Sequence, residues 1–329
     1  MSEAAEYSPA GRKKKDSDKI FTELDALYDK SRPPEEIEKF LTEVISSMED
    51  SRTDELPEYI ALLNELANFY RGASRHTESA ATYEKAIDTL RQFHRDDTRD
   101  YIDLLLNLAG LVRMMGDSAR SASLYADAIK RLEKYDPKDD ATLARSCGSA
   151  ALSYHTAGDL KKALKYATRS YELISAGAGG EFMLAASLNS LASIQYALKN
   201  YDAAEKFVTQ ALEIFDKTKD QSAQHSTAYS TLAAIKYYKK DLPASRAAYE
   251  KAAALAFKFF GLNSEYIAAI SSLASVCEAM GDIKAARDAA KTAHKAARSL
   301  LGADAELVAE YGERVRRLKP RGLFGRRGD

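Results

Sequence analysis

Five histidines, two cysteines and a cluster of loop glycines are the residues of this chain most able to do chemistry, and their spacing does not support it. His76, His94, His155, His225 and His294 are scattered. None stands three or four residues from another histidine or a cysteine, the spacing that would put two metal ligands on one helix face. Cys147 and Cys277 fall at apolar positions of helical stretches, where a buried thiol acts as a small hydrophobe. Gly177, Gly179 and Gly180 follow a helical pattern, whereas a phosphate cradle needs a strand before it. The chain has no G-x-S-x-G turn and no phosphate-binding loop. No catalytic residue, metal or cofactor is therefore expected. What remains is recognition chemistry by amide, guanidinium and phenol groups: Asn64, Asn68, Arg71, Arg113, His155, Asn189, Tyr196, Tyr237 and Tyr238.

These residues share a register because the chain repeats itself. Leu66, Leu108, Ala150, Leu191, Leu232 and Leu273 form one column, with spacings of 42, 42, 41, 41 and 41. The next residue is alanine each time: Ala67, Ala109, Ala151, Ala192, Ala233 and Ala274. Thirteen after the first column stand Ser79, Ser121, Ala163, Ala204, Ser245 and Ala286; twenty after it stand Ala86, Ala128, Ser170, Ala211, Ala252 and Ala293. Larger apolar residues lie between, among them Leu63, Leu105, Leu188 and Phe215. Small columns let helix backbones approach where they cross, and large ones fill the layer between them.

Each repeat reads as two helices, A and B. The turns between them carry Gly116-Asp117, Gly158-Asp159, Asn200, Asp241 and Gly281-Asp282. Glycine ends helix A in the left-handed region, and the Asp or Asn caps helix B. Pro243 falls in the first turn of a B helix, where its missing N–H is harmless. Pro57 and Pro137 fall between repeats.

The pattern Leu-Ala-x2-Y-x3-G-x4-A-x3-Y-x2-A, clearest at Leu108, Ala109, Gly116, Ser121, Tyr125 and Ala128, resembles the tetratricopeptide repeat. The common repeat is about 34 residues. The longer spacing here, with Phe260-Gly261-Leu262 and Leu301-Gly302-Ala303 between repeats, resembles the kinesin-light-chain type. The expected tyrosine after the first column is present as Tyr70 and Tyr154, and replaced by Val112, Gln195, Lys236 and Cys277. The resemblance implies an all-α, right-handed superhelical solenoid of antiparallel helix pairs. The expected organisation is a disordered tail at 1–16, a degenerate capping helix pair at 17–56, six repeats at 57–306, a capping helix at 307–319 and a basic disordered tail at 320–329. The stripe Leu307, Val308, Tyr311, Val315 and Leu318 should cover the last repeat, since a solenoid needs caps.

In such a solenoid helix A lines the concave face. Positions two before, two after, and five or six after the first column should point into it. The early repeats offer Asn64, Asn68, Arg71 and Arg113, the third His155, and the later ones Asn189, Tyr196, Tyr237 and Tyr238. An asparagine can bond both the N–H and the C=O of an extended peptide. An arginine can grip a carboxylate in two places, and a tyrosine gives large contact area at low entropic cost. An extended peptide or protein segment, acidic and with an apolar or aromatic residue, suits this face.

The charge balance is near zero, with 48 Lys+Arg against 49 Asp+Glu, which disfavours a nucleic-acid partner. Two cysteines among 329 residues give no disulfide framework, and neither a long apolar run nor a leader-like segment is visible. A cytoplasmic location with no membrane span is expected. The basic residues from Arg314 to Asp329, seven Lys/Arg against one Asp, could touch an acidic surface or anionic lipid. The function these features imply is a non-catalytic protein- or peptide-binding scaffold that assembles a complex. The alternative is a regulatory sensor whose superhelix changes shape on binding a short signalling peptide.

Overall fold

The structure, a computed structural model, describes residues 9–29, 32–49, 55–135, 138–219, 222–303 and 305–318, with side chains from residue 19 onward. It contains helices and no strand among these residues. The chain divides into two compact units, Met1–Asp139 and Asp140–Asp329. Unit 1 holds α1 (Pro9–Asp29), α2 (Pro34–Ser47), α3 (Leu56–Gly72), α4 (His76–Gln92), α5 (Arg99–Met114) and α6 (Ser118–Leu132). Unit 2 holds α7 (Asp140–Thr156), α8 (Leu160–Leu173), α9 (Glu181–Ala197), α10 (Tyr201–Thr218), α11 (Ala223–Tyr238), α12 (Leu242–Phe260), α13 (Ser264–Ala279), α14 (Ile283–Leu301) and α15 (Glu306–Arg317). Within each unit, successive helices pack as antiparallel pairs and pairs stack on pairs. The first helix starts at Pro9, inside the stretch expected as a tail, because Arg, Lys and Asp continue a helix started by proline. Residues 1–8, Pro137 and the tail expected at 320–329 lie outside the described residues.

The small columns are the crossing points. Every residue of the three Ala/Ser columns is buried. In repeats one, two and five the serine of the second column also ties the pair together. Ser79 Oγ donates to the Ala67 carbonyl at 2.7 Å, Ser121 Oγ to that of Ala109 at 2.8 Å, and Ser245 Oγ to that of Ala233 at 2.7 Å. The small side chain thus permits the approach and satisfies itself on the partner backbone. Cys147 and Cys277 are buried free thiols. Ala192→Leu should overpack the α9–α10 crossing and cost about 1–3 kcal/mol, whereas Ser193→Leu, one residue on and half-buried, should leave the melting temperature nearly unchanged. Equal melting of the two variants would overturn this register.

The turns behave as their residues dictate. Gly116, Gly158 and Gly281 have φ of 92°, 86° and 79°. Asp117, Asp159, Asp241 and Asp282 accept from the backbone N–H three residues on, at 3.0–3.3 Å. Asn200 departs from this pattern: its side chain donates to Gln195 Oε1 at 2.8 Å and makes no cap. Three repeats lack the turn glycine and force Ser74, Lys199 and Lys240 to φ of 60°, 64° and 66°. A side chain in this region costs about 1 kcal/mol. Lys240→Gly is therefore expected to raise the melting temperature, measured by calorimetry, with no change in helix content. A lower melting temperature would show that the flexibility glycine adds to the unfolded chain outweighs the relieved strain.

The caps follow the same logic. α1 and α2 form a helix pair before the first repeat, and α15 covers the sixth. Val308 and Leu318 are buried against it, with Tyr311 and Val315 half-buried, while Leu307 is 39% exposed and lies off the stripe.

Candidate functional site

The A helices of unit 2 frame a cavity of about 460 Å³. Arg145, Gly148, Leu152 and His155 of α7, Phe182, Met183, Asn189, Ser193 and Ile194 of α9, and Gln224 and Thr227 of α11 line it. Small residues make the floor possible. A Cβ on Gly148 would stand 3.3 Å from Ser170 Oγ, which itself donates to the Ala144 carbonyl at 2.8 Å. The lining hydroxyls of Ser190 and Thr227 donate back to their own helices, to Ala186 and Ala223. Asn189 is different. It is 4% exposed, lines the cavity, and its Oδ1 has no hydrogen-bond partner. A buried acceptor left unsatisfied costs about 1–3 kcal/mol. His155 titrates below its ordinary value because burial disfavours the imidazolium, so it offers a neutral donor and acceptor near pH 7. Arg145 is exposed at the rim, with Nη2 donating to Thr142 Oγ1 at 2.9 Å.

Of the residues expected in the groove, this cavity brings together His155 and Asn189. Tyr196 stands beyond Ser193 on α9, in a group of rings: its centroid is 5.5 Å from that of Tyr238 and 5.9 Å from that of Tyr201. Tyr238 is half-exposed and stacks on Tyr201, the first residue of a B helix, at 5.4 Å, so it sits with the α9–α10 turn. Burial, followed by Tyr238, pushes the Tyr196 phenol up, so it stays protonated. Tyr237 turns to a second cavity, of about 820 Å³, against α13 and α15.

In unit 1 the amides are already engaged. Asn107 Nδ2 donates to Asn64 Oδ1 at 3.1 Å, and the Tyr83 hydroxyl donates to Asn68 Oδ1 at 2.6 Å. Arg71 is half-buried and Arg113 exposed, each in the last turn of its A helix, where the helix dipole favours a cation. Neither makes an ion pair among the described residues.

Arg314, counted from sequence only as the start of a basic tail, anchors α15 to α13. Its guanidinium donates to Glu278 Oε1 at 2.6 and 2.8 Å, the Ser271 carbonyl at 2.9 Å and Ser275 Oγ at 2.9 Å. These partners occupy the groove positions of the sixth repeat. One signal was available: Arg314 stands 41 residues after Leu273, in the first column.

Nothing in either cavity pairs a nucleophile with a base. The described residues contain no group of three His, Cys, Asp or Glu able to hold a metal. No described helix is long and apolar enough to cross a membrane.

The tetratricopeptide-repeat family profile matches residues 58–134, 139–217 and 224–299. No curated protein matches the chain. Solved structures with the same fold include BtubC of P. vanneervenii, at 22% identity and a TM-score of 0.57 over 69% of this chain and 92% of that one. The nearly identical repeats of a Podospora anserina kinesin light chain align at 16% identity and a TM-score of 0.51, over 60% and 95% of the two chains. The apo quorum sensor NprR of B. thuringiensis aligns at 15% identity and a TM-score of 0.52, over 92% and 87%. At these identities the likeness is one of fold.

Proposed function

We propose that this chain, which belongs to the tetratricopeptide-repeat family, is a cytoplasmic, non-catalytic scaffold that assembles a complex by holding an extended segment of a partner protein across α7, α9 and α11. The observation that carries the reading is the buried, unpartnered Oδ1 of Asn189 inside a cavity. Turned about its side-chain torsions into the cavity, Asn189 can accept from a peptide N–H through Oδ1 and donate to a peptide carbonyl through Nδ2. His155 is neutral and serves the same backbone. Leu152, Phe182 and Ile194 take an apolar side chain. Arg145 at the rim takes a carboxylate. Unit 1 by itself offers Arg71 and Arg113, beside Asn64 and Asn68, to a carboxylate on its own A-helix face. Beyond Ser193, Tyr196 supplies aromatic contact area, with Tyr238 packed against it at 5.5 Å, and Tyr237 offers the same at the second cavity. An acidic peptide with an apolar or aromatic residue fits this set.

The test is selection from a random peptide library with the full chain, followed by affinity measurement. Selected peptides should be enriched in Asp or Glu beside a large apolar residue. Binding should weaken with salt, because rim charges are screened. Arg145→Ala should reduce affinity and its salt dependence together. Selected peptides that bind this variant as tightly as wild type would move the site elsewhere, with Arg71→Ala and Arg113→Ala testing the face of unit 1 separately. The fold likeness to a quorum sensor favours one second reading, a sensor of a short peptide. A change in the scattering profile on adding the selected peptide would support it.

A further inference from the structure

A second surface of unit 2 is exposed and apolar. At the C-terminal ends of α12 and α14, Phe257 is 54% exposed, Phe260 49%, Leu300 42% and Leu301 48%, with Leu307 of α15 at 39%. These ends share one edge. Tyr266, whose ring is 5.1 Å from that of Phe257, packs on a buried cluster of Ile267, Ala296, Ala297 and Val308, which joins the ends of α12 and α14 through the starts of α13 and α15. Gly261 (φ 63°) and Gly302 (φ 86°) stop the two helices straight after their apolar pairs, leaving Phe259-Phe260 and Leu300-Leu301 at the tips. The repeat fold does not require this. At the same two positions the other repeats carry Phe93-His94, Tyr135-Asp136, Gly177-Ala178 and Thr218-Lys219.

The charge carried by the ends of α12 and α14 themselves is one-sided. Residues 251–260 and 291–301 hold Lys251, Lys258, Lys291, Lys295 and Arg298 and no acidic residue. Lys251 is engaged by Tyr229 and Lys291 by Asp288, but Lys295 and Arg298 make no ion pair among the described residues, and Lys258 lies over the Phe259 ring. Among the described residues, Glu265 and Glu306, in the first turns of α13 and α15, are exposed acids nearby, with Ser264 Oγ donating to Glu265, and Asp304 follows Leu301 by three residues in the sequence.

We propose that this edge docks on an anionic lipid surface, with Phe257, Phe260, Leu300 and Leu301 entering the headgroup layer and Lys258, Lys295 and Arg298 meeting its negative charge. Apolar side chains flanked by basic ones are what a peripheral interface uses. Lysine dominates the rim, a residue that protein interfaces deplete and an anionic leaflet attracts as diffuse charge. The edge is built by helix ends away from the lining of the α7–α9–α11 cavity, so lipid docking and peptide binding are separable.

The test is flotation of the full chain with vesicles of phosphatidylcholine alone or with about 30% phosphatidylserine, the anionic fraction an estimate that sets a surface potential of tens of millivolts. Wild type should float only with the anionic vesicles, and less at high salt. Phe257→Ser with Phe260→Ser should reduce partition about tenfold, from lost apolar burial. Lys258→Glu with Lys295→Glu should reduce it at least as much, at about fivefold or more per charge. Both double variants should melt like wild type and bind the selected peptide normally. Wild type that fails to float with anionic vesicles overturns the proposal. So does flotation that survives both double variants but is lost on deleting residues 321–329, which would place the contact on the tail. If the phenylalanine variant turns a wild-type dimer into a monomer and no vesicle is bound, the edge is a self-contact instead.

Discussion

Arg314→Ala should loosen α15 from the sixth repeat and destabilise the protein by about 2–4 kcal/mol. The guanidinium side chain is 18% exposed and makes five hydrogen bonds, two of them to Glu278, whose side chain is 25% exposed. Removing it strands a half-buried carboxylate and two serine acceptors, the expensive way to break an ion pair. Arg317, 3.1 Å from Glu278 Oε2 but well exposed, can replace little of this. Hydrogen exchange should rise across Glu306–Leu318 before it rises elsewhere, because a terminal helix opens on its own. Arg314→Lys should recover less than half of the loss, since one ammonium cannot reach all the acceptors the planar fork reaches. A variant that melts within about 0.5 kcal/mol of wild type would place the pair among ordinary surface ion pairs.

Asn189→Leu should move stability and function in opposite directions. Leucine branches where asparagine does and places no acceptor in the interior, so the cost of the unpartnered Oδ1, about 1–3 kcal/mol, is relieved. The open cavity beside it accommodates the added volume. The same change removes the group proposed to hold the partner's backbone. Loss of a buried central contact typically weakens binding by about 2 kcal/mol or more, roughly thirtyfold. The readouts are a melting curve and the affinity for the library-selected peptide. A destabilised variant with unchanged affinity would mean that Asn189 serves the fold alone.

The helical pairs were legible in the sequence because each constraint is written six times. A single Ala192 says little, but six small residues at one position describe a crossing. Turn chemistry was legible for the same reason, and failed where the local residue had another option, as Asn200 does with Gln195. For the candidate site the sequence marks positions along the A helices and not the roles of the residues there. Asn64, Asn68 and Asn189 look alike along their helices. Asn64 finds Asn107, 43 residues on, and Asn68 finds Tyr83, 15 residues on, while Asn189 Oδ1 finds nothing. That difference depends on side chains of neighbouring helices and leaves no trace in one helix's periodicity. Tyr238 shows the same limit: the register points it to the groove, and an offset stack with Tyr201 holds it beside the turn. Arg314 was misleading by position, since basic residues near a chain end suggest a solvated tail.

The serine that closes repeats one, two and five reaches a carbonyl only twelve residues earlier in the chain. Most of what fixes a helix pair is therefore within about forty residues of itself, and contacts of such short range form fast. As the chain leaves the ribosome, at about 5–20 residues per second, each pair can close its own crossing before the next has been made. Ser79 meets Ala67 while the sixth repeat is still message. The order of synthesis then becomes the order of assembly, with α15 and Arg314 following the sixth repeat to cover a face that has waited, partly uncovered, for them.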